Sequence, residues 1–163
     1  MRSPPVQVEC SYPVPPIRLY EVLTDLDFLI ARNERYGGVG TPTVEQTGDA
    51  LVVTTVRRIP LEHAPAVAHR FLGDGQLVQV DRWAPPTADR ALAAVAIDPG
   101  RIPMQIRGSY DIRPVDDGCV YVAAIDLKVK VPLIGGAIAS QVSGLMRQLL
   151  TAEMHFTQEW LAR

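Results

Sequence analysis

Apolar and polar residues alternate one by one through most of this chain, and the period lengthens only near its two ends. Over 5–12, Val6, Val8, Cys10 and Tyr12 fall on one side and Gln7, Glu9 and Ser11 on the other, the pattern of a half-buried strand. The spacing then becomes helical. Ile17, Tyr20 and Leu23 share a face of 13–25, and the prolines sit where a first helical turn tolerates them. Asp25 is placed to cap a second short helix, which Gly37 and Gly38 end.

Period two then returns. Segments 41–47 and 50–59 are joined through Gly48-Asp49, a hairpin-like turn. Strands over 76–84 and 90–98 follow, separated by Pro85-Pro86, and Asp98-Pro99-Gly100 turns the chain again. In 104–114, Met104, Ile106, Gly108, Tyr110 and Ile112 share one face. After the tight turn at 116–118, Tyr121, Ala123, Ile125, Leu127, Val129 and Val131 do the same, with Asp126, Lys128 and Lys130 opposite. Short turns between successive strands imply an antiparallel meander. The connection 60–75 is too long for a hairpin, and 64–73 within it reads as a short helix. Val67, Phe71 and Leu72 around Arg70 suit packing against the sheet's edge, or else a lid or membrane-touching tip.

The last stretch is a single long amphipathic helix after the Gly135-Gly136 pair. At about 100° per residue, Val142, Leu145, Leu149, Ala152, Phe156 and Trp160 all lie within about 40° of Ile138. Glu153 falls at the edge of that stripe, about 60° from its centre. The stripe runs roughly 40 Å, enough to traverse a small sheet. Strand, two short helices, six strands and a long helix therefore predict an α+β fold in which a curved antiparallel sheet lies against the helix.

Composition narrows the classes. The chain of 163 residues reads as one domain over 1–163, with 47% hydrophobic and 21% charged residues. A net charge of −2 argues against nucleic acid as a partner. Lys128 and Lys130 are the only lysines. The start of the chain has no apolar core of a signal peptide, and no run of about 18 apolar residues suggests an integral membrane segment. A cytoplasmic protein with two reduced thiols, Cys10 and Cys119, is the expectation, and the oligomeric state is open.

The residues also carry a resemblance. "YPVPPIRLYEVLTDLDFL" is similar to the entry motif of the START-like superfamily, the helix-grip fold of polyketide cyclases, pollen-allergen-type ligand carriers and lipid-transfer domains. "RRIP", "RFLGDG", "DRW", "KVKVPLIGG" and "FTQEWL", in order, resemble a bacterial branch known only as a domain of unknown function. The resemblance implies a seven-stranded sheet gripping the C-terminal helix. Two short helices would lie between strands one and two, and a further short one between strands three and four. It also implies a cavity between sheet and helix, which in relatives holds sterols, lipids, aromatic polyketides or hormones. In that fold the first and last strands are neighbours, which brings Cys10 towards Cys119, with a disulfide as the alternative to free thiols.

His63, His69 and His155 have no metal-ligand spacing, and neither a metal nor a cofactor is expected. "YGGVG" lacks the context of a phosphate loop and reads as a flexible loop beside the cavity mouth, available as a gate. There is no nucleophile elbow, and no catalytic residue is assigned. Asp81 shares parity with Leu77 and Trp83 and can point inward. Arg57 and Arg58 straddle the two faces of their strand, so one must face inward or lie at its rim, and an inward arginine paired with Asp81 would anchor a ligand head group. The cavity candidates are Arg57, Asp81, Trp83, Met104, Ile106, Tyr110, Tyr121, Ile125, Leu145, Leu149, Glu153 and Phe156. They support binding of a hydrophobic small molecule, lipid-like or polyketide-like. The alternatives are a cyclase, dehydratase or hydrolase using the same cavity, and a protein-interaction module without a ligand.

Overall fold

The computed structural model describes residues 5–58, 69–72 and 75–163, and of Phe71 and Leu72 the backbone alone. The element order is β1 (Val6–Tyr12), α1 (Pro16–Leu23), α2 (Leu26–Arg35), β2 (Gly38–Thr47), β3 (Ala50–Arg58), α3 (His69–Leu72), β4 (Gln76–Trp83), β5 (Ala91–Asp98), β6 (Met104–Val115), β7 (Gly118–Val129) and α4 (Gly135–Leu161). The seven strands form one antiparallel sheet in the order β1-β7-β6-β5-β4-β3-β2, so that first and last strands are neighbours. Strict alternation sets the inner face: Val53, Thr55 and Arg57 on β3, Leu77, Gln79, Asp81 and Trp83 on β4, and Ala91, Ala93, Val95 and Ile97 on β5 are all buried. The prediction for 64–73 falls largely outside the described residues, which retain of it the single turn α3.

The helices cover this face unevenly. α4 packs along β1 and β7, α2 packs over β2 at the opposite edge, and α1 lies on β5, β6 and β7. Asp25 caps α2 by accepting the Phe28 N–H at 3.0 Å. The middle of the sheet, β3 to β6, lies between α2 and α4 and is left partly uncovered.

Two phenols fix how α4 is rotated about its axis. Tyr12, from β1, donates to the Met154 carbonyl at 2.9 Å, and Tyr36, just beyond α2, donates to the Ala152 carbonyl at 3.1 Å. These bonds reach the helix backbone on either side of Glu153, whose side chain turns into the protein. The buried line of this half of α4 is Leu150, Glu153, Met154 and Thr157. Leu145, Leu149, Phe156 and Trp160 of the predicted stripe are only partly buried. The predicted stripe centres on large apolar residues, but Leu145 and Leu149 border open space beside the sheet, while Phe156 and Trp160 pack against Phe28.

The segment read as a flexible glycine loop is instead the start of β2. Gly38 and Val39 pair with Arg57 and Val56, and the register slips between Val39 and Thr43. Asn33 holds this start in place, donating to the Gly40 carbonyl at 2.9 Å. A Cβ at 38 would coincide with the Asn33 amide and displace it from the Gly40 carbonyl. Cys10 and Cys119 are both free thiols. Cys10 lies opposite Tyr121 and Cys119 opposite Tyr12, so the two are diagonal neighbours. Diagonal Cβ atoms are too far apart for the short spacing a disulfide needs.

Candidate functional site

A cavity of about 300 Å³ occupies the gap between the sheet and α4. Leu77 and Ile97 form its sheet wall, Val142, Leu145 and Leu149 its helix wall, and Ile125 lies between them. Arg58, exposed at the end of β3, stands at its rim. Its inner end is polar: Arg57, Gln79, Tyr110 and Glu153 converge there from β3, β4, β6 and α4.

The convergence follows from register. Arg57 pairs with Leu77, so its side chain lies next to that of Gln79 on the inner face, and Arg57 Nε donates to Gln79 Oε1 at 3.0 Å. The arginine's two terminal nitrogens donate to the two oxygens of Glu153 at 2.9 and 3.3 Å. Arg32, from α2, places its Nε 3.3 Å from the same carboxylate. The amide of Gln79 donates onward to Asp81 at 2.8 Å and to the Tyr110 hydroxyl at 2.9 Å. Beside it across the β3–β4 pair, Thr55 has a buried hydroxyl with no hydrogen-bond partner among the described residues.

Burial governs the protonation of this cluster, and the guanidiniums correct it locally. Burial alone would raise the Glu153 carboxyl, but Arg32 and Arg57 hold it below the ordinary glutamate value. Asp81 is farther from that compensation, and burial pushes it up to about 6. Burial raises the phenols of Tyr110 and Tyr121 well above the ordinary tyrosine value, so both are neutral donors at physiological pH. Arg57 remains charged: burial opposes its charge, but Glu153 beside it reverses the balance.

The arginine that faces inward is Arg57, and it pairs with Glu153 rather than with Asp81 as expected. Asp81 is reached through Gln79 and lies off the cavity wall. Of the sequence candidates, Arg57, Tyr110, Ile125, Leu145, Leu149 and Glu153 line the cavity. Trp83 and Tyr121 lie beyond it, in an aromatic row with centroids 5.5 Å from Tyr20 to Trp83, 5.9 Å from Trp83 to Tyr110 and 5.5 Å from Tyr110 to Tyr121. Met104 and Ile106 are in the core. Phe156 packs with Phe28, Tyr36 and Trp160 under α2, because α4 is turned towards Glu153.

Sequence reasoning missed Arg32 and Gln79, though both were within reach. Gln79 has the same parity as Leu77 and Asp81. Arg32 lies four residues after Phe28, on the buried face of α2, with its guanidinium 5.5 Å from the Phe28 ring centroid.

This architecture is the helix-grip fold found in solved START-like structures. The chain superimposes on the ZhuI aromatase/cyclase of Streptomyces sp. R1128 with a TM-score of 0.67 at 11% identity, over 98% of this chain and 94% of that one. It matches human STARD10 with a TM-score of 0.62 at 14% identity, over 97% of this chain and 64% of that one. A START superfamily protein of Mycobacterium smegmatis gives 0.56 at 11% identity, over 96% and 98%. Within that fold the chain belongs to the family described as a protein of unknown function, DUF2505, whose model matches residues 7–161. An uncharacterized protein of Mycobacterium tuberculosis is 24% identical over 143 residues, 85% of this chain and 78% of the relative. Among the described residues, no helix is long and apolar enough to cross a membrane.

Proposed function

We propose that this protein binds a hydrophobic small molecule, lipid-like or polyketide-like, in the cavity between the sheet and α4. One observation supports the reading: the opposed apolar walls, from Leu77 and Ile97 to Val142, Leu145 and Leu149, border about 300 Å³ that the side chains of the described residues leave unfilled. That volume is at the lower end of the range for small-molecule sites, and a few polar groups at one end are the usual means of orienting a ligand. The START fold supports the same reading, since ZhuI, which shares it, is an aromatase/cyclase. Binding is favoured over catalysis because Asp81, the carboxyl that burial brings closest to neutral pH, lies off the cavity wall, while Glu153, which lines it, is held ionised by two arginines.

The test is titration with a phenylnaphthylamine fluorophore, together with native mass spectrometry of the purified protein for a co-purifying guest. Ala152→Trp fills the cavity from α4, and His155→Trp places the same ring on the exposed face. Saturable binding that Ala152→Trp abolishes and His155→Trp leaves intact is the expected result. Equal binding by wild type and Ala152→Trp would remove the cavity from consideration.

A further inference from the structure

We infer that the inner end of the cavity is a carboxylate site, which takes an elongated apolar monocarboxylate with its head group on Arg57 and Tyr110. The inference rests on the binding reading above and names the ligand class for the same cavity.

The argument is an inventory of donors and acceptors. A guanidinium carries five N–H groups and no acceptor. Arg57 uses one on Gln79 and one from each terminal nitrogen on Glu153. Its remaining N–H groups have no acceptor among the described residues. Tyr110 receives the Gln79 amide through its oxygen, and among the described residues its own proton has no acceptor. Among the described residues, the acceptors that line this end are already engaged, and the unpartnered Thr55 hydroxyl beside Gln79 lies off the cavity wall. Gln79 Oε1 takes the Arg57 Nε–H, and both Glu153 oxygens face guanidinium nitrogens. Among the described residues, a ligand group entering here therefore meets donors without an acceptor of their own.

Charge selects among oxygens. Two guanidiniums, Arg32 and Arg57, contact one carboxylate, Glu153. The remaining buried carboxyl, Asp81, touches the cluster through the Gln79 amide and is raised to about 6, so near and below that pH the cluster carries a net positive charge. A hydroxyl would accept one of the available hydrogens and leave the charge. A carboxylate accepts two at once and balances it. The walls beyond this end are aliphatic: Leu77 and Ile97 face Val142 and Leu149, a slot for a chain.

The experiment compares decanoate, decanol and methyl decanoate by displacement of the fluorophore at pH 6. Wild type is expected to prefer decanoate to decanol by about tenfold or more, the scale of hydrogen bonds to a charged group. Tyr110→Phe, which removes one oxygen and keeps the ring, is expected to reduce that preference by about threefold or more. Arg57→Gln is expected to abolish it, and where this variant fails to fold, Tyr110→Phe carries the test. If acid, alcohol and ester bind equally and Ala152→Trp blocks all of them, the cavity reading stands and the carboxylate site is wrong. If none displaces the probe from wild type, and the probe itself is insensitive to Ala152→Trp, the binding reading fails and the carboxylate site with it.

Discussion

Glu153 on α4 and Arg57 on β3 meet end to end inside the protein, each carboxylate oxygen facing one terminal nitrogen, at 2.9 and 3.3 Å. Both side chains are less than a tenth exposed. Removing Glu153 leaves two buried guanidiniums without their carboxylate, and breaking a buried pair in this way typically costs about 3–5 kcal/mol. Glu153→Leu is therefore expected to lower the urea midpoint steeply, with Arg32 and Arg57 both left facing it. In a cycle with Arg57→Met, the double variant is expected to recover at least about 1.5 kcal/mol of the summed losses. Strict additivity would mean that the pair does not couple sheet to helix.

Asp81 gives the opposite pH signature from Glu153. Its folded value, about 6, lies above the ordinary aspartate value of 3.8, so the folded state holds the proton more tightly than the unfolded one. The resulting stability is full below 3.8 and is lost as pH rises through about 6. Glu153, lowered by Arg32 and Arg57, contributes stability that falls away only in acid, as pH drops below the ordinary glutamate value of 4.5. From pH 4.5 to 7, wild type is expected to lose about 2 kcal/mol relative to Asp81→Asn, which cannot ionise. Parallel stability curves for the two proteins would show that Asp81 titrates as an ordinary aspartate.

How much of this was legible beforehand depended on what each feature rests on. Strand faces were readable because alternation is local: the buried residues of β5 and β6 are those the pattern of 91–97 and 104–112 selects. Which of Arg57 and Arg58 faces inward was not readable, because it is set by pairing with Leu77 and Gln76 across a connection whose length fixes no register. The rotation of α4 was misjudged for a different reason. Hydrophobic periodicity weights Leu145, Leu149 and Phe156 by size, whereas the rotation is held by Tyr12 and Tyr36 on backbone carbonyls and by Arg57 on Glu153. Those contacts are long-range and polar, and a helical wheel does not contain them. Leu145 and Leu149 belong to the stripe but not to the buried line because they border the cavity.

Gly108 shows how closely the sheet is packed beside that cavity. It lies opposite Ile125, and a Cβ on it would stand 2.4 Å from the Ala124 carbonyl oxygen and 2.5 Å from the Ile125 side chain. The isoleucine fills the space the glycine leaves. Gly108→Ala is expected to cost about 1–3 kcal/mol, the range for overpacking. Trimming the neighbour in Gly108→Ala/Ile125→Val is expected to recover only part of this, because the nearer obstacle is backbone. Full rescue in chemical denaturation would place the conflict in the side chain alone.

The two thiols should separate kinetically. Cys119 is fully buried, and burial, with Cys10 beside it, pushes its thiol up to about 11. Cys10 is half-buried and receives the Gln158 amide at 3.2 Å. A thiol reagent on the native protein is expected to label Cys10 first, with Cys119 reacting only on unfolding. Diamide treatment is expected to leave the monomer without an internal crosslink, since the pair is diagonal. A Cys10–Cys119 crosslink found by peptide mapping of native protein would require the β1–β7 register to be different.

Leu133 is the place where the chain can be made more stable by removing a leucine. It lies in the turn between β7 and α4 with φ at 67°, the one non-glycine residue among those described with a positive φ. Its side chain is fully exposed, so it contributes no packing to offset the strain. A left-handed conformation costs an L-residue with a branched chain about 1–2 kcal/mol, and asparagine tolerates it better. Leu133→Asn is therefore expected to stabilise the protein by about 1 kcal/mol, a rise in Tm of about 2–4 °C at this chain length. Leu133→Gly relieves the same strain but frees the unfolded chain as well, and should gain less. A loss of stability in Leu133→Asn would mean that the leucine makes a contact that offsets its backbone strain.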